Sequence, residues 1–326
     1  MIVDIATFLP AGRLTNEQLV KDLGRWTADE VFVKTGVRSR CVAAATETAV
    51  DLATGAVAGL LKRHASVAVD FLVLCTQTAD YKFPSSSCLI QARAGLPTSC
   101  SCFDMNLACS GYIYGLAVTQ ALIASGTAAN IILVNSDTYT HYIHPQDTVC
   151  RPIFGDGAAA TWLSAQSTTK ITAFVLGSDG TQAMRMHLPA GGEKLRQFRE
   201  DAAVTGNPAD PEFIKMDGPE IYNFTLKAVP AVVNDCLAKA GIAVEQVDFF
   251  VLHQANAFML EALRKKMGIP KEKFPVEMAD TGNLVSASIP VVLDKMRCDG
   301  RIQPGTRTLL CGFGVGLSWG ACLVTW

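Results

Sequence analysis

The chain reads as an α/β protein of two similar halves, each built round a mostly parallel sheet. Three observations predict this. Residues 69–78, "VDFLVLCTQT", and residues 247–256, "VDFFVLHQAN", share one pattern, a short apolar run that ends in polar residues. Such a run suits a strand buried on both faces, and the polar residues mark where it emerges. Each copy follows a helix-like segment, "AVDLATGAVAGLLKRH" (49–64) or "NFTLKAVPAVVNDCLAKAG" (223–241), with apolar residues at three- and four-residue spacing. Each copy leads through another helix to a second apolar strand, "ANIILVNSD" (129–137) in the first half and "TRTLLCGFG" (306–314) in the second. Alternation repeated at about half the chain length gives two α/β halves, taken as residues 1–168 and 169–326.

Bulk properties agree with an enzyme of this kind. At 326 residues the chain exceeds one typical core. With 28 Lys and Arg against 30 Asp and Glu, and 49% hydrophobic residues, it has neither the field of a general nucleic-acid binder nor the composition of a disordered chain. Residues 105–136 carry no charge, yet Ser, Gly, Thr, Gln and Asn interrupt them and "ASGTAAN" reads as a turn. A buried helix followed by a buried strand explains the stretch better than a membrane span. The start, "MIVDIATFLP", lacks the basic and small-residue features of a signal peptide, so a cytoplasmic protein is expected. The eleven cysteines are scattered without C-x-x-C pairs, and most should be reduced and buried.

Three residues stand out from that background. Cys109, in "FDMNLACSGYIYG" (103–115), lies at a predicted helix start, where unpaired N–H groups and the helix dipole favour a thiolate and lower its pKa. His253 follows the strand "VDFFVL" directly, at the carboxyl end where open parallel sheets gather their chemistry. Asn283 lies in "ADTGNLVSASIP" (279–290), a turn before a helical run. Taken singly, each is commonly a packing or turn residue. Near the end, "LLCGFGVGLSWG" (309–320) is a strand that breaks into alternating glycines, whose backbone N–H groups can face a developing oxyanion.

These segments, with "FGDGAAA" (154–160) and "KTGVRSR" (34–40), resemble the β-ketoacyl-acyl-carrier-protein synthase III family of the thiolase superfamily. The likeness runs nearly the whole chain. It implies a thiolase-like duplicated αβαβα fold with a five-stranded sheet in each half, and a catalytic set of Cys109, His253 and Asn283. Cys109 would take an acyl group from a thioester, with the N–H groups of Cys109 and Val315 as the oxyanion hole. A malonyl thioester would then lose CO2, and His253 and Asn283 would donate to the enolate oxygen. No cofactor or metal is implied beyond acyl-CoA or acyl-carrier thioesters as substrates. The resemblance also implies docking of an acyl carrier protein on Arg264, Lys265 and Lys266, and a homodimer in which Phe83 reaches the partner's acyl pocket. Cys311 tempts a thiolase reading, but it stands one residue early in the glycine loop, which in a strand turns its side chain to the other face. The chain departs from the pattern where coenzyme A is held, since the adenine-stacking Trp is missing and Phe258 and Thr148 replace two arginines, and at the carrier-docking patch, where Asn223 replaces a lysine. Acyl transfer to a hydroxyl or amine, and a non-catalytic partner subunit, are the competing readings.

Overall fold

A computed structural model describes residues 1–189, 191–195 and 212–326. The first sheet has the order β1 (Ile2–Phe8), β7 (Gly157–Ser164), β6 (Asn130–Asp137), β4 (Phe71–Cys75), β5 (Ser101–Met105). The second has the order β8 (Lys170–Ser178), β13 (Ser318–Thr325), β12 (Arg307–Gly314), β11 (Phe249–Leu252). Short pairs β2 (Gly12–Thr15) with β3 (Ser39–Val42), and β9 (Met186–His187) with β10 (Lys215–Met216), lie outside them.

The repeated pattern in the sequence is a repeated pairing. β4 runs parallel to β6 and β11 parallel to β12, so the two "VDF" strands hold equivalent places beside their following strands. Two expectations need correction. Antiparallel pairings of β7 with β1 and β6, and of β13 with β12 and β8, are as prominent as the parallel ones. Among the described residues the second sheet also has four strands rather than five, with no counterpart of β5. The segment in that place, "GIPKEKFPVE", carries Pro270 and Pro275, which have no N–H to give a ladder. It runs instead through a short 3-10 turn at Lys271–Lys273.

Five layers result. α3 (Ala49–Arg63) and α4 (Ser86–Arg93) cover the outer face of the first sheet, around Leu52, Leu60, Leu72 and Val134. α6 (Gly218–Ala240) and α7 (Ala257–Lys266) cover the outer face of the second, around Val232, Phe250, Leu260 and Leu309. Between the sheets lie α5 (Gly111–Ala124) and α8 (Ser288–Cys298), and Tyr112, Ile113, Leu116, Ile289 and Leu293 join Val73, Val251 and Leu310 in one core. That position explains the uncharged sequence of α5: a helix with sheet on both sides has no face to give to solvent. Among the described residues no helix is long and apolar enough to cross a membrane. α6 begins five residues before the sequence suggested. Its Gly-Pro start looks like a turn, but proline is tolerated in a first turn, and the Asp217 carboxylate accepts the Glu220 N–H there at 3.2 Å. α1 (Asn16–Leu23) and α2 (Ala28–Thr35) are each closed by a capping box and a left-handed glycine.

Candidate active site

Cys109 closes the turn between β5 and α5, and it is 5% exposed. The glycine-rich end of β12 and the loop that follows lie directly on it. A Cβ at Gly312 would stand 2.7 Å from the Cys109 carbonyl, and one at Gly314 would stand 2.8 Å from its Cβ and 3.0 Å from its sulfur. Ser110 and Ser318 tie turn and loop together through their hydroxyls at 2.7 Å, and Ser318 donates to the Val315 carbonyl at 2.8 Å. The backbone N–H groups of Cys109 and Val315 both face the Cys109 sulfur. Alternation along β12 decides the neighbouring cysteine. Leu309, Cys311 and Phe313 pack outward against α6 and α7, while Gly312 and Gly314 face Cys109, so Cys311 looks away from the Cys109 sulfur.

One expectation about Cys109 is overturned. Burial pushes its thiol far above the ordinary value, nearby Asp137 adds to this, and the two N–H groups offset only part of it. Desolvation outweighs the helix-start effect because the sulfur sits under the glycine loop with little water to stabilise an anion.

His253 leaves the end of β11 with its N–H bonded to the Cys311 carbonyl at 2.8 Å, and its ring stands edge-on to Phe313 at 5.5 Å. Burial lowers its pKa to about 3, with the Val285 carbonyl pulling weakly the other way, so the ring is neutral at physiological pH. Nδ1 has no partner among the described residues. The tautomer with the proton on Nε2 therefore hides no unmet N–H.

Asn283 is fixed by its backbone. Its N–H donates to Ile153 at 2.9 Å and its carbonyl accepts from Gly155 at 3.0 Å, in a parallel bridge to the 153–155 strap. The side-chain oxygen accepts from the Val285 N–H at 2.9 Å, which leaves the amide nitrogen as the outward donor, bonded only at 3.4 Å to the Ala255 carbonyl. Val285 thus joins the three segments: it packs in one cluster with Cys109, orients Asn283 and lies against His253. It does so at φ 52°, a costly conformation for a β-branched residue.

One neighbour of this centre carried no signal in the sequence beyond its place at a strand end. Asp137, at the end of β6, accepts from the Gln77 N–H at 2.8 Å and the Ser286 hydroxyl at 2.6 Å, which pins the turn that carries Val285. Burial raises its pKa to about 7. A carboxyl whose folded pKa lies above its unfolded value holds more protons in the native state, so its contribution to stability falls as pH rises from about 4 to about 7. Asp137→Asn should therefore flatten the pH dependence of urea unfolding over that window, by on the order of 4 kcal/mol at most. An unchanged slope relative to the wild-type protein would contradict the burial argument.

Other expected residues lie away from this centre. Phe83 is 79% exposed on the loop after β4, and so is not a core aromatic. Arg264 is held by both carboxylate oxygens of Glu261 at 2.7 Å and caps α7 through the Ile269 carbonyl, while the Lys265 side chain is 71% exposed. Of the basic trio, the arginine is therefore occupied within its own helix, and Lys265 reaches the same Glu261 carboxylate at 3.5 Å. Phe258 is exposed and stacks on Tyr222 at 5.7 Å. Among the described residues no cluster of ligating side chains could hold a metal.

A duplicated five-layer fold with a buried cysteine at the head of its central helix defines the class of thiolase-fold acyltransferases. Residues 103–180 match the family described as 3-oxoacyl-[acyl-carrier-protein (ACP)] synthase III, and residues 237–326 match its C-terminal family. The β-ketoacyl-[acyl-carrier-protein] synthase III of Neisseria meningitidis serogroup B is 33% identical over 98% of this chain and 96% of its own. A crystal structure of a 3-oxoacyl-(acyl-carrier-protein) synthase III superposes with a TM-score of 0.93 at 44% identity, covering 100% of this chain and 99% of the other. The priming β-ketosynthase of the R1128 polyketide pathway gives a TM-score of 0.89 at 27% identity, covering 99% and 95%. The chain belongs to the β-ketoacyl-acyl-carrier-protein synthase III family, and it is a condensing acyltransferase.

Proposed function

We propose that Cys109, His253 and Asn283 carry a two-stage reaction on thioesters. In the first stage the Cys109 sulfur attacks an acyl thioester. The new S–C bond forms, the donor's C–S bond breaks, and the thiol proton leaves with the released thiol. The carbonyl oxygen takes its developing charge into the N–H groups of Cys109 and Val315, which are fixed by the strand and turn before substrate arrives. In the second stage a malonyl thioester loses CO2, and its electron pair moves into an enolate whose oxygen receives Nε2–H of His253 and the amide of Asn283. The enolate carbon attacks the acyl group, the C–S bond to Cys109 breaks, and the departing thiolate takes a proton from solvent to restore the thiol. A neutral His253 suits this step, because it donates without having to gain a proton.

What supports this reading is the meeting of the Cys109 turn, the end of β11 and the Asn283 segment around Val285 and the glycine loop. The donor is an acyl carrier protein rather than coenzyme A. Phe258 and Thr148 offer no cation where the nucleotide would sit, whereas the exposed Lys265 and Lys266 suit an acidic carrier. The exposed Phe83, and β5 at the open edge of the first sheet, suit a second copy of the chain in a cytoplasmic homodimer.

Asn283→Ala separates the stages. Its condensation rate should fall by about 10²–10³, the usual loss for one preorganised donor, while acylation of Cys109 stays within roughly tenfold. Intact-protein mass spectrometry with acyl-carrier and then malonyl-carrier substrates, together with CO2 release, reads both. Equal losses in the two stages would overturn the assignment of Asn283. Discharge of the wild-type acyl group by an alcohol or amine but not by a malonyl thioester would overturn condensation itself.

A further inference from the structure

The steps above leave one group of residues unused, the polar rim of the cavity beside the glycine loop. This cavity has a volume of about 490 Å³, and Val315 and Gly316 form one wall. Met186, Leu188 and Ile214 give it apolar lining, while Gln77 and Asn106 interrupt that lining with amides. Tyr139, also in the wall, packs in one cluster with Cys109, which places the cavity beside the reacting sulfur.

Gln77 is held on two sides. It follows β4 and Thr76, and its backbone N–H donates to Asp137 at 2.8 Å. Its side-chain oxygen accepts the Tyr139 hydroxyl at 2.5 Å. The oxygen is thereby engaged, and among the described residues the side-chain nitrogen has no partner. Gln77 and Asn106 also line the outer cavity of about 820 Å³ that opens toward Tyr81 and Lys82, so the two amides stand where the cavities meet. A plain alkyl chain filling this space would take water from the Gln77 N–H donors and return no acceptor. A site built that way discriminates strongly against groups that leave its donors unmet. Among the described residues that line the inner cavity there is no lysine or arginine, and Lys82 of the outer one is paired with Glu193, so a neutral carbonyl oxygen meets the amide better than a carboxylate.

We propose that the acyl group this site selects carries a second carbonyl, as in a 3-oxo or 5-oxo acyl chain, and that Gln77 is the residue that selects it. The inference rests on the reading of Cys109 as the acyl acceptor and deepens it.

The test uses pantetheine thioesters in two size-matched pairs, butanoyl with 3-oxobutanoyl and hexanoyl with 5-oxohexanoyl. Initial rates of mass gain on the wild-type protein should favour the oxo member of at least one pair by tenfold or more. In Gln77→Leu that preference should vanish or invert, with the alkyl rate unchanged or higher. Gln77→Thr, smaller and still polar, serves should the leucine variant fail to fold, and it should lose most of the preference. Equal or faster rates for the alkyl member in both pairs would overturn the proposal, as would an oxo preference that survives both substitutions. Should no thioester acylate the wild-type protein, the covalent reading fails separately. The proposal is then read from calorimetric affinities of the same four thioesters for Cys109→Ala, where equal affinities within both pairs would overturn it.

Discussion

Cys109→Ala should take up no acyl mass from any thioester, and its condensation rate should fall by at least about 10³. The loss is large because no other cysteine can replace it. Cys75, the neighbour on β4, is fully buried, bonded to the Leu107 carbonyl at 3.0 Å, and far above its ordinary pKa through burial. Cys311 lies on the opposite face of β12. The substitution should spare the other half of the chemistry. Removal of the sulfur leaves the donors of His253 and Asn283 in place, because Val285, the 153–155 strap and β11 hold them without its help. Malonyl-thioester decarboxylation, followed by CO2 release, should therefore persist within roughly tenfold of the wild-type basal rate. Acyl uptake by Cys109→Ala would refute the nucleophile. Loss of decarboxylation in parallel with acylation would refute the separate donor pair.

Arg40→Leu should show the largest effect on stability. Arg40 is fully buried, and among the described residues it has no carboxylate partner. Its Nε and Nη2 donate to the Pro152 carbonyl at 2.9 and 2.5 Å, and its Nη1 donates to the Asn16 side chain at 2.6 Å. Burial, with Arg151 nearby, lowers its pKa to about 10, so it still carries its charge at neutral pH. Leucine would leave the Pro152 carbonyl and the Asn16 oxygen without these donors, at roughly 1–3 kcal/mol each, and would also leave a partly filled space. A loss of about 3–5 kcal/mol in urea unfolding is expected. The consequence reaches the site, because Pro152 immediately precedes the strap that Asn283 pairs with, and the Arg40 side chain lies against Gly282. Below its unfolding midpoint the variant should lose condensation more than acylation, as Asn283→Ala does. A stability loss under 1 kcal/mol would show that the carbonyls find other donors.

The residues also explain how much could be read in advance. The two "VDF" runs were legible as equivalent strands because a strand covered on both faces must be apolar along its length, whatever covers it. The helix after Cys109 was legible because an uncharged segment of that length has to be buried. The missing fifth strand of the second sheet was not, since its absence turns on two prolines that read equally well as loop punctuation. The first turn of α6 was lost to the same ambiguity, Gly-Pro being both a turn signal and a permitted helix start. The site divides in a similar way. Cys109, His253 and Asn283 were nameable through their motifs, but Gln77, Tyr139 and Asp137 are ordinary residue types beyond ordinary strands. What gives them work is the neighbour each acquires across the fold.

The sequence by itself determined the order of strands and helices, the duplicated halves and the motifs that carry Cys109, His253 and Asn283, because apolar periodicity and turn chemistry act over a few residues at a time. The tertiary structure alone decided which side of β12 meets the sulfur, that burial pushes the Cys109 thiol up rather than down, and that a glutamine donor stands unmet in the cavity. Those outcomes depend on desolvation and on contacts between segments sixty or more residues apart, and no local pattern records either.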